Sequence, residues 1–407
     1  MEERTKTYFR TGLGLKKDVL PVLEQEYHSQ AVEQLKERGY RATAGGITIR
    51  LAEEFGYCYG VDRAVQYAYE AAHKFPDRRL FLVGEIIHNP HVNGRLQDMG
   101  ITFMMPGEDG RFDFSDVTPE DVVIIPAFGV AINDFQALRE IGCLLVDTTC
   151  GSVLNVWKRV DGYARGGHTA IIHGKFYHEE TKATASQVKL HPNGTYLIVR
   201  DMDEARLVCD YILHGGDGGE FLERFGHSCS EGFDPDRDLS KVGVANQTTM
   251  LASETAAIAE EFRKVMVERY GEAELDDHYR HSDTLCSATQ DRQNAVNSMM
   301  ESPPDVMIVI GGYNSSNTAH LAHICAQHTK TYHIEDSTCI DPAAGTISHK
   351  AVGGQEICTD SDWLAAGIIE VGITAGASTP NNKIGDTIER VLASRGIELD
   401  TLFADQA

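Results

Sequence analysis

The sequence lacks paired cysteines. None of its nine cysteines (58, 143, 150, 209, 229, 286, 325, 339 and 358) forms a C-x-x-C pair. That excludes zinc ribbons, thioredoxin-type redox pairs and the tight cysteine runs of bacterial ferredoxins. An odd count in a long chain without an export signal also argues against a disulfide framework. Basic residues are scarce: 37 Lys and Arg face 61 Asp and Glu, a formal charge of −24. A nucleic-acid binder or a protein held on an anionic membrane needs the opposite balance. A small anionic substrate is not excluded, because a site can be locally positive. No apolar run approaches the roughly 18 residues of a membrane span. The start, Met1-Glu2-Glu3-Arg4, has neither a signal peptide's apolar core nor a transit peptide's composition. The expected location is the cytoplasm, or the plastid stroma after removal of a transit peptide.

At 407 residues the chain has room for roughly two to four domains. Residues 1–45 read as a polar helical extension (Lys17 to Arg38), and about 187–238 as a loop-rich surface insertion. The rest repeats. Cys58, Cys150 and Cys286 each run straight into an amphipathic helical pattern. A short apolar strand follows each helix: Leu80–Val83, Thr169–Ile172 and Val306–Ile310. Polar loops follow the strands: Ile87-His88-Asn89-Pro90, Tyr177-His178-Glu179-Glu180 and Tyr313-Asn314-Ser315-Ser316-Asn317. The spacings from Cys58 to His88, Cys150 to His178 and Cys286 to Asn314 are 30, 28 and 28 residues. A second strand and loop close each repeat: Val122–Ile125, Lys241–Ala245 and Ile368–Ile373, the last two leading into Asn246-Gln247-Thr248-Thr249 and Gly376-Ala377-Ser378-Thr379. Alternating strands and helices predict parallel sheets, with working residues in loops beyond the strands' carboxyl ends. The expected fold is α/β, with three related domains arranged pseudo-threefold around one centre. The expected boundaries are 46–149, 150–285 with the insertion, and 286–380, followed by a C-terminal helix and tail over 381–407.

A cysteine at a helix start meets free N–H groups and the positive end of the helix dipole, which favour thiolate, the metal-binding form. One such cysteine is equally a small buried residue; three in one register suggest three thiolates converging on an axis. Three thiolates can hold an iron–sulfur cluster that leaves one iron open. Cys143, Cys209 and Cys325 fit apolar strand or helix faces and are expected in the core. Asn314-Ser315-Ser316-Asn317, between a strand and a helix, has the composition of an anion cradle, and Gly376-Ala377-Ser378-Thr379 follows the same logic. His88 and His178 add donors for a phosphate. Glu179 and Glu180 either cap a helix or relay protons. On these residues alone three functions stay open: an iron–sulfur reductase, a metal-dependent phosphate-ester hydrolase, and a non-catalytic iron–sulfur sensor.

The motifs resemble a known family, the 4-hydroxy-3-methylbut-2-enyl diphosphate reductases or LytB family. They are Gly56-Tyr57-Cys58-Tyr59-Gly60-Val61, Ile87-His88-Asn89-Pro90, Val146-Asp147-Thr148-Thr149-Cys150, His178-Glu179-Glu180-Thr181, Asn246-Gln247-Thr248-Thr249, Asn314-Ser315-Ser316-Asn317 and Gly372-Ile373-Thr374-Ala375-Gly376-Ala377-Ser378. They occur in the family's order over about residues 50–390. The extension and the insertion look like the longer plastid and cyanobacterial form. The resemblance implies a [4Fe–4S] cluster on Cys58, Cys150 and Cys286 with one open iron for the substrate's hydroxyl. It implies reductive removal of that hydroxyl as water, giving isopentenyl and dimethylallyl diphosphate, the last step of the methylerythritol phosphate route. Glu180 then matches the acid of a proton relay, with Thr248 beside the substrate and Gln247 supporting it. His88, His178, Ser315, Ser316, Asn317 and Ser378 match diphosphate-binding positions. Short members carry a histidine where this chain has Phe128, and most members a proline where it has Gly151. The resemblance also implies a ferredoxin or flavodoxin donor. Such donors are acidic, so docking on this chain calls for a basic patch, for which Lys158, Arg159 and Arg165 are candidates.

Overall fold

Apolar runs of four or five residues become the central strands, because parallel strands covered on both faces have no polar side to show. Leu80–Val83, Val122–Ile125 and Leu144–Asp147 are buried at every position, as are Thr169–His173, Val242–Asn246 and Val306–Ile310. The computed structural model describes residues 7–282 and 284–404, so Met1-Glu2-Glu3-Arg4 and the end of the expected tail lie outside the described residues. The chain divides into two units.

The first unit takes the chain up to Thr11, Phe75–Ile86 and Gly100–Cys286. It holds two sheets. One runs Tyr8–Phe9, Leu144–Asp147, Val122–Ile125, Leu80–Val83, Ile101–Met104. The other runs Tyr279–His281, Val242–Asn246, Thr169–His173, Tyr196–Val199. All their pairings are parallel. Tyr196–Val199 and the helix Met202–His214 fall inside the segment expected to be a surface insertion. They are instead a sheet strand and a core helix, with Val208, Cys209, Ile212, Phe221 and Phe225 buried together. The Gly- and Asp-rich loops around them hide a four-residue strand too short to stand out as a periodic pattern.

The second unit takes Gly12–Lys74, Ile87–Met99 and the chain from Ser287. Its sheet centres on Lys330–Ile334, Val306–Ile310, Ile369–Ala375 and Ile47–Leu51, all parallel, with Arg41–Ala44 antiparallel at one end. Of the extension, the helices Lys16–Tyr27 and Gln30–Glu37 pack in this unit, while Tyr8–Phe9 joins the first unit's sheet. The C-terminal helix Asn381–Ala393 buries Ile384, Ile388, Val391 and Leu392 in the same core.

The three sheets share one rule. The strand before each cysteine pairs with the second strand of the preceding repeat: Leu144–Asp147 with Val122–Ile125, and Tyr279–His281 with Val242–Asn246. For Cys58 no repeat precedes, and Ile47–Leu51 pairs with Ile369–Ala375 of the last one. Consequently Ile47–Leu51 and the helix Tyr59–Lys74, expected in a domain over 46–149, belong to the unit of the third sheet.

Candidate functional site

Each candidate cysteine sits where its strand turns into a helix. In the second unit the Cys58 N–H donates to Ala377 O (3.2 Å), and the Val61 N–H of the first helical turn donates to Cys58 Sγ (3.4 Å). Arg292 locks the turn before it. Its buried guanidinium, from the helix Ser287–Met300, donates to Gly56 O (2.7 and 3.0 Å) and Tyr57 O (3.0 Å). Gly56 has φ +67°, a region costly for other residues, and a Cβ there would press on Thr379 O at 3.1 Å. Cys58 lines a cavity of about 560 Å³ with Tyr27, Tyr57 and Asp62.

In the first unit Cys150 caps the helix Gly151–Arg165, and its N–H donates to Ala127 O (3.0 Å). Asp147 sets the approach: it accepts from the Thr149 N–H (3.0 Å), the Thr149 hydroxyl (2.5 Å) and the Tyr8 hydroxyl (2.5 Å). Burial, together with that last bond, raises the Tyr8 pKa. Cys286 directly precedes the helix Ser287–Met300, and Thr284, two residues earlier, donates to the Asn246 side chain. None of the nine cysteines is in a disulfide. Cys143, Cys209 and Cys325 are buried, and burial pushes their pKa values up to about 11, 12 and 12. Those three are core thiols held protonated; Cys58, Cys150 and Cys286 are partly exposed.

The first unit gathers the acid–base residues. Glu180, 1% exposed, accepts from the Thr248 N–H (2.5 Å) and the Thr248 hydroxyl (3.0 Å), one bond per carboxylate oxygen. Gln247 Oε1 accepts from the Thr181 hydroxyl (3.0 Å) and the Lys175 N–H (3.1 Å), and its Nε2 donates to Thr249 (2.6 Å). The Glu180 N–H donates to His178 Nδ1 (3.2 Å), which leaves Nε2 as the protonated nitrogen of the neutral ring. The Phe128 ring meets the His178 ring edge-on, centroids 5.6 Å apart. Phe128 thus contributes a face that orients His178. Its loop is held by Gly129, with φ +75°, where any Cβ would strike Trp157 at 2.4 Å.

The second unit gathers amides, hydroxyls and one imidazole. Ser315 caps the helix Ser316–Ala326 by accepting from the Thr318 N–H (3.3 Å). Asn317 Oδ1 accepts from the Ala377 N–H (3.0 Å), the Ser378 hydroxyl donates to His88 O (3.1 Å), and Asn89 Nδ2 donates to Ser378 O (2.9 Å). Asn314 Nδ2 donates to His88 Nδ1 (3.3 Å), so this ring too carries its proton on Nε2. His88, Ser315, Ser316, Asn317 and Ser378 are all buried, and Asn317 Nδ2 is a buried donor with no hydrogen-bond partner among the described residues. A buried unsatisfied donor costs about 1–3 kcal/mol, and an anion's oxygen supplies its missing acceptor. Gly312 and Gly376 keep the loops close: a Cβ at Gly312 would meet His88 O at 2.7 Å, and at Gly376 Thr318 Oγ1 at 2.0 Å.

Within each unit the predicted residues meet: Glu180, Thr248, Gln247 and His178 in one, and His88, Ser315, Asn317, Ser378 and the Cys58 turn in the other. Arg292, Asn89, Asn314 and Thr181 were not singled out by the sequence argument. The last three lie inside quoted motifs, which was the available signal. Arg292 lies in an otherwise ordinary polar helix.

Residues 49–392 match the family model described as LytB protein. A protein named 4-hydroxy-3-methylbut-2-enyl diphosphate reductase from Gloeobacter violaceus is 47% identical over 97% of this chain and 94% of its own length. One of the same name from a Synechococcus species is 49% identical over 94% and 95%. A solved structure titled as (E)-4-hydroxy-3-methyl-but-2-enyl diphosphate reductase, the terminal enzyme of the non-mevalonate pathway, is 27% identical with a TM-score of 0.52, covering 84% of this chain and 98% of that one. A Plasmodium falciparum structure, 19% identical with a TM-score of 0.61 over 84% and 87%, shares the fold. With the cysteine turns, the carboxylate–hydroxyl pair and the amide-lined loops already in place, a match of this length leaves one conclusion: the chain belongs to the LytB family.

Proposed function

We propose that the protein reduces 4-hydroxy-3-methylbut-2-enyl diphosphate to isopentenyl and dimethylallyl diphosphate. The substrate takes up two electrons and two protons; the allylic C–O bond breaks, a C–H bond forms, and water leaves. The reading is carried by the buried Glu180 carboxylate bonded through both oxygens to Thr248. A hydroxyl donating to a carboxylate keeps its lone pairs to accept from one further donor. When Glu180 is protonated, Thr248 accepts that proton and passes its own to the departing oxygen, so hydroxide leaves as water. Gln247, held by Thr181 and Lys175, fixes the Thr248 loop.

The diphosphate does not react, so its binding serves to position the carbon–oxygen bond. Asn317 Nδ2, the Ser315, Ser316 and Ser378 hydroxyls, and the Nε2–H groups of His88 and His178 are its proposed donors. The N-terminal turn of the helix Ser316–Ala326 adds its dipole.

Cys58, Cys150 and Cys286 are the proposed ligands of one [4Fe–4S] cluster with one open iron, in a pseudo-threefold arrangement of the three repeats. The residues fit such a group: three partly exposed cysteines outside any disulfide, each at a helix start, one already accepting a backbone N–H. When bound, the cluster supplies electrons and a Lewis-acidic iron. An acidic ferredoxin or flavodoxin is the proposed electron donor. A zinc-dependent hydrolase remains the contrasting reading. Protein purified without air should contain iron and acid-labile sulfide, absorb near ~400 nm as thiolate–iron clusters do, and turn over the allylic diphosphate with a reduced donor. Colourless protein with stoichiometric zinc and no turnover would overturn the proposal.

A further inference from the structure

The first unit contains a concentration of positive charge away from the acid–base residues. A cavity of about 440 Å³ is lined by Lys158, Arg159, Arg165, Lys241 and Arg280, with Asp277 the one carboxylate on its described walls. In a chain of net charge −24 this is a local reversal of sign. Its volume lies in the range of small-molecule pockets.

The cations are kept available. Among the described residues, Lys158, Arg159 and Lys241 have no ion-pair partner, and Arg165 and Arg280 only reach Asp161 and Asp276 at 3.9 Å. The floor is rigid. The Tyr163 ring lies directly on the backbone of Gly243, where a Cβ would strike it at 2.4 Å, and its hydroxyl donates to Val244 O (3.0 Å). His168, buried in the wall, has its pKa lowered by burial and by the Arg280 and Lys241 charges. The pocket's field thus reaches inside the protein.

Its place in the fold sets it apart from the acid–base site. Lys241 precedes the strand Val242–Asn246, whose far end carries Gln247 and Thr248; five residues span roughly 17 Å. Arg165 ends the 15-residue helix that begins after Cys150, a rise of roughly 22 Å. We propose that this cavity binds a small anion carrying two or more phosphate groups. Several cations converging on one concave volume suit a multiply charged anion, which each cation can bond without displacing another.

The test is calorimetric titration of the intact, anaerobically purified protein with inorganic triphosphate, repeated with ATP and with an isoprenoid diphosphate to separate a nucleotide source from a lipid one. In the Lys241→Ser/Arg280→Ser double variant one triphosphate-binding event should weaken at least tenfold, and Asn317→Ala should keep that event. If the double variant does not fold, Lys158→Ser/Arg159→Ser, at exposed positions, takes its place with the same expectation. No saturable binding by the parent, or binding lost in Asn317→Ala and kept in the pocket variant, would overturn the proposal. So would a pocket variant that binds triphosphate normally but is slowed tenfold only when an acidic protein supplies the electrons. That result would make the pocket a docking face.

Discussion

The two units carry different chemistry on parallel strands. Both present loops beyond the ends of parallel strands, yet one set is built around a buried carboxylate and the other around buried amides and hydroxyls. Glu180 is satisfied at both oxygens by Thr248, whereas Asn317 Nδ2 has no acceptor among the described residues. A complete hydrogen-bond pair suits a group that moves a proton, and an incomplete one suits a group that waits for a ligand. On the proposed reading the Glu180–Thr248 pair acts on the bond that breaks, and the second unit's amides and hydroxyls act on the part of the substrate that does not change.

The largest expected effect cuts across both units. Cys286→Ser should lower iron content and turnover together, by at least ~100-fold in rate, because electron supply and Lewis acidity go with the cluster. Cys209→Ser, at a buried thiol, should keep both iron and turnover. Iron and turnover retained in Cys286→Ser would remove it from the ligand set.

Next, Glu180→Gln should slow kcat by about 10²–10³-fold, in the range of lost general-acid catalysis, with the cluster spectrum intact. Near-normal turnover would move the proton role to another group, with Glu179 the neighbour to try.

A third test separates the units by pH. Burial pushes His333, in the second unit's sheet, down to about 4, with its Nε2–H on Gly311 O (3.0 Å). The native state therefore keeps this imidazole neutral, while the unfolded chain takes up a proton near the ordinary value of about 6.5. Stability falls as the pH drops from about 6.5 towards 4, by an order of ~3 kcal/mol in total. His333→Gln should flatten that part of the stability curve measured by denaturant; an unchanged slope would assign the acid sensitivity elsewhere.

Asn317→Ala should raise KM by about tenfold, worth ~1.4 kcal/mol, because it removes one donor to the diphosphate. The smallest effect is expected at Gly151. A Cβ there meets nothing within 4 Å at a helical position, so Gly151→Ala should stabilise by ~0.5–1 kcal/mol. A lower melting temperature would show that the Cys150 turn needs glycine.

The sequence disclosed what local patterns encode. Leu80–Val83, Val122–Ile125 and Val306–Ile310 appear at their expected bounds, because continuous apolar runs flanked by polar loops have few other uses. The pairing of Ile47–Leu51 with Ile369–Ala375 was not legible: it joins residues over 300 positions apart, and no local pattern names a strand's partner. Tyr196–Val199 was obscured by the loops around it. At the site, motif spacing drew attention to Glu180, Thr248 and Asn317. Their contrast in hydrogen bonding, Phe128 on His178, and Arg292 on the Gly56 carbonyl depend on side-chain placement, which composition does not carry.

The division of labour between the loops is tested most directly by steady-state kinetics of Glu180→Gln and Asn317→Ala side by side, without air, with products identified. The account predicts a fall in kcat with little change in KM for the first, and a rise in KM with little change in kcat for the second, both still giving isopentenyl and dimethylallyl diphosphate. The opposite pattern, or equal losses in both parameters for both variants, would contradict it.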